Sequence, residues 1–256
     1  MDLGVSGRVY VLTGATRGLG RATADALVAD GARVVVSGRH QEAVDAAVAG
    51  LEATGGAGCA VGVVADNADA SAPDALVAAA RDAWGRLDGA LVSVGGPPAG
   101  KATEMTDEQW TTAFSSVFLG GVRLARTVAA ELGEGGSIAF VLSTSVRQPV
   151  PGLAISNGLR PGLAMVAKTL ADELGPTGIR VNGLLPGRVA TERVAELDAA
   201  TGDAAAAEEA ARAQIPLRRY GRPEEFGRVA AFVLSPAASF LSGVMVPVDG
   251  GMSRGL

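Results

Sequence analysis

A chain of 256 residues, 48% hydrophobic and 19% charged, is long and apolar enough for a full buried core, which excludes a disordered chain. Its formal net charge of −5 argues against nucleic acid or an anionic membrane as the main partner. One cysteine, Cys59, excludes an internal disulfide, and one histidine, His40, in a polar turn, makes no zinc site with that distant thiol.

The N-terminal MDLGVSGRVYVLTG lacks the charged-then-apolar pattern of a signal peptide or membrane span, so a cytoplasmic protein is the expectation. From there, short apolar runs alternate with helical patterns. Strands are expected at VYVLT (9–13), RVVVS (33–37), AVGVV (60–64), GALVSV (89–94), SIAFVL (137–142), IRVNGLL (179–185) and VMVPV (244–248). Most are continuous and rich in β-branched residues, as in strands covered on both faces. Helical patterns fill the gaps at 21–30, 41–53 and 73–84, with longer ones at 107–132 and 152–174. This rhythm predicts an α/β fold: one doubly wound, mostly parallel, seven-stranded sheet with right-handed crossovers and helices on both faces. No linker or repeat is visible, so one domain spanning 1–256 accounts for the chain. The alanine- and glutamate-rich stretch at 195–214 breaks the rhythm. It reads either as a surface excursion or, over 194–215, as a cover on the substrate side of a site at the strand ends.

The first strand runs directly into TGATRGLGRATADAL, where Gly14, Gly18 and Gly20 follow a G-x-x-x-G-x-G spacing. A sharp strand-to-helix turn needs glycine, and the helix N-terminus beyond it offers free N–H groups to a pyrophosphate. The second strand ends VVVSGRH. A site selective for NAD would carry a carboxylate there for the ribose 2′-hydroxyl. This chain has Gly38 and then Arg39, with Arg17 in the glycine loop. Two guanidinium groups suit a 2′-phosphate, so NADP(H) is favoured over NAD(H); the plainer alternative is two solvated surface arginines.

Together TGATRGLG, VVADN, LVSVGG, GSIAFVLSTS, IRVNGLLPGRVAT and VDGG resemble the short-chain dehydrogenase/reductase family, nearest its 3-oxoacyl-carrier-protein reductase branch, from Gly7 to the C-terminal VDGG. The resemblance implies one Rossmann-type domain, an NAD(P) cofactor and a homotetramer, with a dimer as second choice. It places Gly14, Thr16, Arg17, Gly18, Leu19 and Gly20 on the pyrophosphate side and Arg39 at the position that favours NADP. Asp66 and Asn67 fall at the adenine, Gly95 in the stretch after the fourth strand, and Pro186, Gly187, Val189 and Thr191 in the nicotinamide-side loop.

The family's catalytic Asn, Ser, Tyr and Lys carry over poorly. Ser143 matches the serine; Ser156 stands at the tyrosine, Arg160 at the lysine, and Val117 at the asparagine. A phenol of pKa roughly 10 can be drawn toward neutral pH by a neighbouring ammonium. An alkyl hydroxyl is far less acidic, and Ser156 is much shorter than tyrosine. Arg160 keeps a cation able to hold ribose hydroxyls or stabilise an oxyanion, but it exchanges no proton. Pro161 implies that the helix either kinks there or starts late. Of the other aromatic candidates, Tyr10 reads as core and Tyr220 as a structural aromatic.

Two functions lead; a third, a small-molecule binder without cofactor, would require the glycine loop to be accidental. The first is an NADP(H)-dependent oxidoreductase acting on a small uncharged carbonyl or alcohol, with Ser143, Ser156 and Arg160 as an atypical or impaired proton-transfer site. The alternative is a non-catalytic NADP(H)-binding protein that acts as a sensor or structural partner. The walls expected around the substrate, 94–101, 145–155 and 190–214, read as apolar and small.

Overall fold

The computed structural model describes residues 2–255. Seven strands form one parallel sheet: β1 (Val9–Leu12), β2 (Arg33–Gly38), β3 (Ala60–Val64), β4 (Gly89–Val92), β5 (Ser137–Val141), β6 (Arg180–Pro186) and β7 (Met245–Val248). Their order is β3-β2-β1-β4-β5-β6-β7. Every strand pair is parallel. The apolar runs are continuous because both faces are covered. β1, β4 and β5 are buried at every position. The two edge strands depart from this. β3 alternates and β7 is half-exposed, since each has a neighbour on one side only.

One face of the sheet packs against α1 (Gly18–Ala29), α2 (Gln41–Gly55) and α9 (Pro223–Leu234) through Leu27, Leu51, Phe226 and Leu234. The other packs against α3 (Ala72–Trp84), α5 (Gly120–Glu131) and α6 (Ala154–Leu174) through Leu76, Leu124, Val128 and Leu163. Tyr10 lies in the first of these cores, fully buried, as its sequence context implies.

The long pattern at 107–132 resolves into three pieces. A capping box of Thr106 and Gln109 starts α4 (Asp107–Ala113), a π-helical stretch follows (Phe114–Leu119), and α5 continues. The stretch at 194–215 is also divided. It comprises α7 (Glu192–Ala199) and α8 (Ala204–Gln214), parted near Gly202, whose φ is +89°.

Pro161 neither ends nor delays its helix. α6 begins at Ala154, before Ser156, and runs on through the proline, so the late start is overturned. The missing N–H leaves the Asn157 carbonyl without its donor one turn on. Ser156 and Arg160 consequently share a buried face, one turn apart. Among the described residues no helix is long and apolar enough to cross a membrane.

Candidate functional site

The strand order reverses between β1 and β4, where open α/β sheets leave a crevice at their C-terminal ends. Thr13 ties the two strand ends together. Its Oγ1 donates to the Ser93 carbonyl at 2.7 Å and accepts from the Ser93 N–H at 2.9 Å. The Ala15 N–H donates to the Ser37 carbonyl at 3.1 Å, which fastens the glycine loop to the end of β2. Gly14 turns the chain with φ +56°, and a Cβ there would lie 2.9 Å from the Ser93 carbonyl oxygen. At Gly20 a Cβ would meet the Gly14 carbonyl oxygen at 2.4 Å. Arg17 precedes α1 with extended backbone and no side-chain cap, and no acidic residue stands in the first turn. The helix therefore presents unsatisfied N–H groups and its positive dipole end to a cradle that only glycine permits. That chemistry fits the pyrophosphate of a dinucleotide.

Two joined clefts open from this loop and share Gly14, Arg17, Arg39 and Gly95. The larger, about 930 Å³, runs past Thr16, Gly38, Asp66 and Asn67. There the Asp66 carboxylate accepts from the Ala68 N–H at 2.9 Å, and the Asn67 amide donates to the Ser93 carbonyl at 3.4 Å. His40 is exposed on its rim. The smaller cleft, about 420 Å³, brings Gly18, Leu19 and Gly20 to Ser143, Ser156 and Arg160. Pro186, Gly187, Val189 and Thr191, from the end of β6 and the loop after it, complete it. Every site position singled out from the sequence thus lies on one continuous opening. Arg17 departs from expectation in its direction: its guanidinium pairs with the Glu192 carboxylate at the start of α7.

Ser143 and Ser156 line the smaller cleft, with Ser145 buried behind them. The Ser143 Oγ accepts from the Ser145 N–H at 3.1 Å, and the Ser145 and Ser156 hydroxyls lie 3.2 Å apart. Arg160, 5% exposed, is directed away from a ribose-holding role. It donates to the carbonyl of Val141, the last residue of β5, and at 3.4 Å to that of Val94, just beyond β4. Its Nε has no partner. Burial pulls its pKa down to about 10. The guanidinium links two strand ends through one N–H of each terminal nitrogen. Val117, in the π-helical stretch, is buried with Ala113, Ile155 and Leu159 and adds an apolar wall where an amide would stand. Neither described tyrosine lines either cleft. The titratable residues along the smaller cleft are arginines together with Glu192 and Glu196.

The family model described as enoyl-(acyl carrier protein) reductase matches residues 14–253. An uncharacterised oxidoreductase of Methylorubrum extorquens is 36% identical, over 97% of this chain and 98% of that protein. A 3-oxoacyl-[acyl-carrier-protein] reductase of Synechocystis is 34% identical, over 97% and 98%. Among solved structures, the L-sorbose reductase of Gluconobacter frateurii, complexed with NADPH and L-sorbose, superposes with a TM-score of 0.92 at 30% identity, covering 100% of both chains. This chain belongs to the short-chain dehydrogenase/reductase family.

Within this short-chain dehydrogenase/reductase, the cover over the smaller cleft carries contacts the sequence did not disclose. Glu192, Arg193 and Glu196 of α7 line the cleft, so its wall is more charged than its composition implied. Arg193 donates to the Pro97 carbonyl at 2.6 Å, reaching across to the loop after β4. Asp198, buried at the far end of α7, accepts from Arg188 at 2.8 Å and from the Tyr220 hydroxyl at 2.9 Å. Burial, and then that bond to Asp198, push the Tyr220 phenol up to about 12. α8 lines neither cleft, so only the first half of the 194–215 excursion covers the site. Ser145, at the start of the expected 145–155 wall, lines neither cleft and instead backs Ser156 through its hydroxyl.

Proposed function

We propose that this protein binds NADP(H) in preference to NAD(H) and transfers hydride between the nicotinamide and a small carbonyl or alcohol, without a tyrosine proton donor. The observation that carries the reading is the continuity of the opening: an intact glycine cradle leads directly to Ser143 and Ser156, with Ser145 hydrogen-bonded behind them. A bound nicotinamide dinucleotide would supply or accept the hydride.

The remaining work falls to the chain. The α1 N-terminus and the glycine loop would hold the pyrophosphate, with Arg39 and Thr16 toward a 2′-phosphate and Asp66 and Asn67 toward the adenine. Gly95, Pro186, Gly187, Val189 and Thr191 would frame the nicotinamide. Ser143 and Ser156 would hydrogen-bond the substrate oxygen, while Arg160 keeps the two strand ends at fixed separation and adds a buried positive field beneath them. The proton would pass between water and the substrate through these hydroxyls. The similar Gluconobacter reductase, seen with NADPH and a sugar, supports a small polar substrate of this kind.

A second reading, a non-catalytic NADP(H)-binding protein serving as sensor or structural partner, is favoured by the three altered positions Val117, Ser156 and Arg160. Calorimetric titration with NADPH and NADH, followed by a hydride-transfer screen over carbonyls and alcohols, separates the two. Tighter NADPH binding with turnover supports the first. Binding without turnover on any substrate supports the second. Absence of binding removes both. The family resemblance also supports assembly as a homotetramer. Met165 and Phe240 are apolar and largely exposed, and sedimentation showing a stable monomer at micromolar concentration would count against it.

A further inference from the structure

The loop that carries Thr16 is stitched against the end of β2. The Ala15 N–H donates to the Ser37 carbonyl, and Gly38, the last residue of β2, is held in register with Val64 of β3. Thr16 and Gly38 are thereby pressed face to face on the wall of the larger cleft, beside Arg39. A Cβ built at Gly38 would lie 2.6 Å from Thr16 Cγ2 and 3.2 Å from Thr16 Oγ1, but 3.5 Å, an ordinary contact, from Thr16 Cβ. The conflict is therefore with the branches of the threonine and not with the backbone. Gly38 itself has no positive φ, so its backbone would accept a side chain. Threonine is stiff at χ1, and a swing of its methyl away from position 38 is restricted.

We propose that Thr16 and Gly38 form a steric filter for the adenosine ribose: the Thr16 side chain fills the volume that a carboxylate on residue 38 would need. This rests on the NADP(H) reading above and deepens it. Recognition of a free 2′-hydroxyl needs an acceptor at the end of β2. Here the acceptor is missing, and its place is taken by a methyl and by a hydroxyl able to donate toward a phosphate. Preference for a 2′-phosphorylated dinucleotide is then a property of the pair. The exchange of residue 38 alone does not convert it.

The test is a cycle of Gly38→Asp, Thr16→Ala and the double variant, each titrated calorimetrically with NADPH and NADH. Gly38→Asp alone weakens NADPH by more than about 10-fold and gains no NADH affinity, because the carboxylate cannot settle. The double variant gains roughly 10-fold in NADH affinity over Gly38→Asp, the range of one charge-assisted hydrogen bond. Should Gly38→Asp by itself bind NADH as tightly as the double variant, the filter is refuted while the cofactor reading stands. A wild-type protein that binds neither dinucleotide overturns both. Gly38→Ala gives a readout free of any cofactor and guards against a misfolded aspartate variant. It lowers the unfolding midpoint, and adding Thr16→Ala restores it; equal midpoints for wild type and Gly38→Ala refute the steric pair.

Discussion

The cofactor half of the opening and the proton-transfer half lie side by side on the same strand ends, yet they differ in kind. The first is made of backbone: glycines that admit close approach, an uncapped helix end and N–H groups. The second depends on side-chain identity: the Ser156 hydroxyl and the Arg160 guanidinium stand where the family resemblance implies a phenol and an ammonium. A cradle built from backbone survives any change in the residues beyond it. A proton donor is lost with one side chain. The comparison teaches that a backbone cradle constrains side chains less than a proton-transfer site does.

The largest test of that difference restores the second half. Ser156 and Arg160 share one buried face of α6, so the frame for the family pair is still present. The double variant Ser156→Tyr with Arg160→Lys is expected to raise turnover on ketones that relatives reduce by about 100-fold or more, the usual worth of general acid–base catalysis. Steady-state kcat against the wild type checks it, with Pro161→Ala added as a control on helix geometry. If the wild type is already brisk and Ser156→Ala abolishes it, the three serines are a working site of different chemistry.

Arg39→Asp attacks the first half. It should invert the preference between NADPH and NADH, moving the ratio of affinities by about 10-fold or more, since one charge-assisted hydrogen bond is replaced by repulsion. Fluorescence titration with both dinucleotides reads it.

Arg160→Met asks whether the link is structural. It leaves the Val141 and Val94 carbonyls without their donor, at a cost of about 1–3 kcal/mol for the unpaired groups, partly offset by removal of a buried charge. Urea denaturation measures it, and an unchanged midpoint would mean the contacts hold nothing.

The smallest effect lies outside both halves. The Tyr10 hydroxyl is buried without a partner, so Tyr10→Phe should leave stability at pH 7 unchanged or raise it by up to about 1 kcal/mol. Burial pushes the Tyr10 phenol up to about 12 from its ordinary 10. The unfolded chain therefore loses this proton first, and the stability it confers is intact below pH 10 and lost as pH rises from 10 to 12. Tyr10→Phe should flatten that decline. The other groups perturbed by burial, Tyr220 and Arg160, are the same in both proteins, so the difference isolates Tyr10.

The sheet was readable because burial on both faces forces apolar, β-branched strands. The glycine loop was readable because its backbone demands glycine at fixed spacing. Strand ends moved by a residue or two, and the edge strands gave up their burial for want of a second neighbour. The direction of Arg160 was not readable, since its partners at Val141 and Val94 lie far along the chain and are backbone carbonyls that any sequence supplies. The same holds for the Arg17–Glu192 and Arg193–Pro97 contacts, 175 and 96 residues apart. The division of 107–132 by a π-helical stretch also escaped, because apolar periodicity does not distinguish one extra residue per turn.

The fastening of α7 is lopsided. At its start Glu192 and Arg17 pair with side chains 64% and 63% exposed, a contact worth no more than about 1 kcal/mol in water. At its end the Asp198 side chain, 7% exposed, grips both Arg188 and Tyr220. The helix is thus anchored in the interior at Asp198, while its start is tied by a surface ion pair and by the Arg193–Pro97 bond. Arg17 of the glycine loop is one half of that surface pair, so an anion seated in the loop would compete with Glu192 for the same guanidinium.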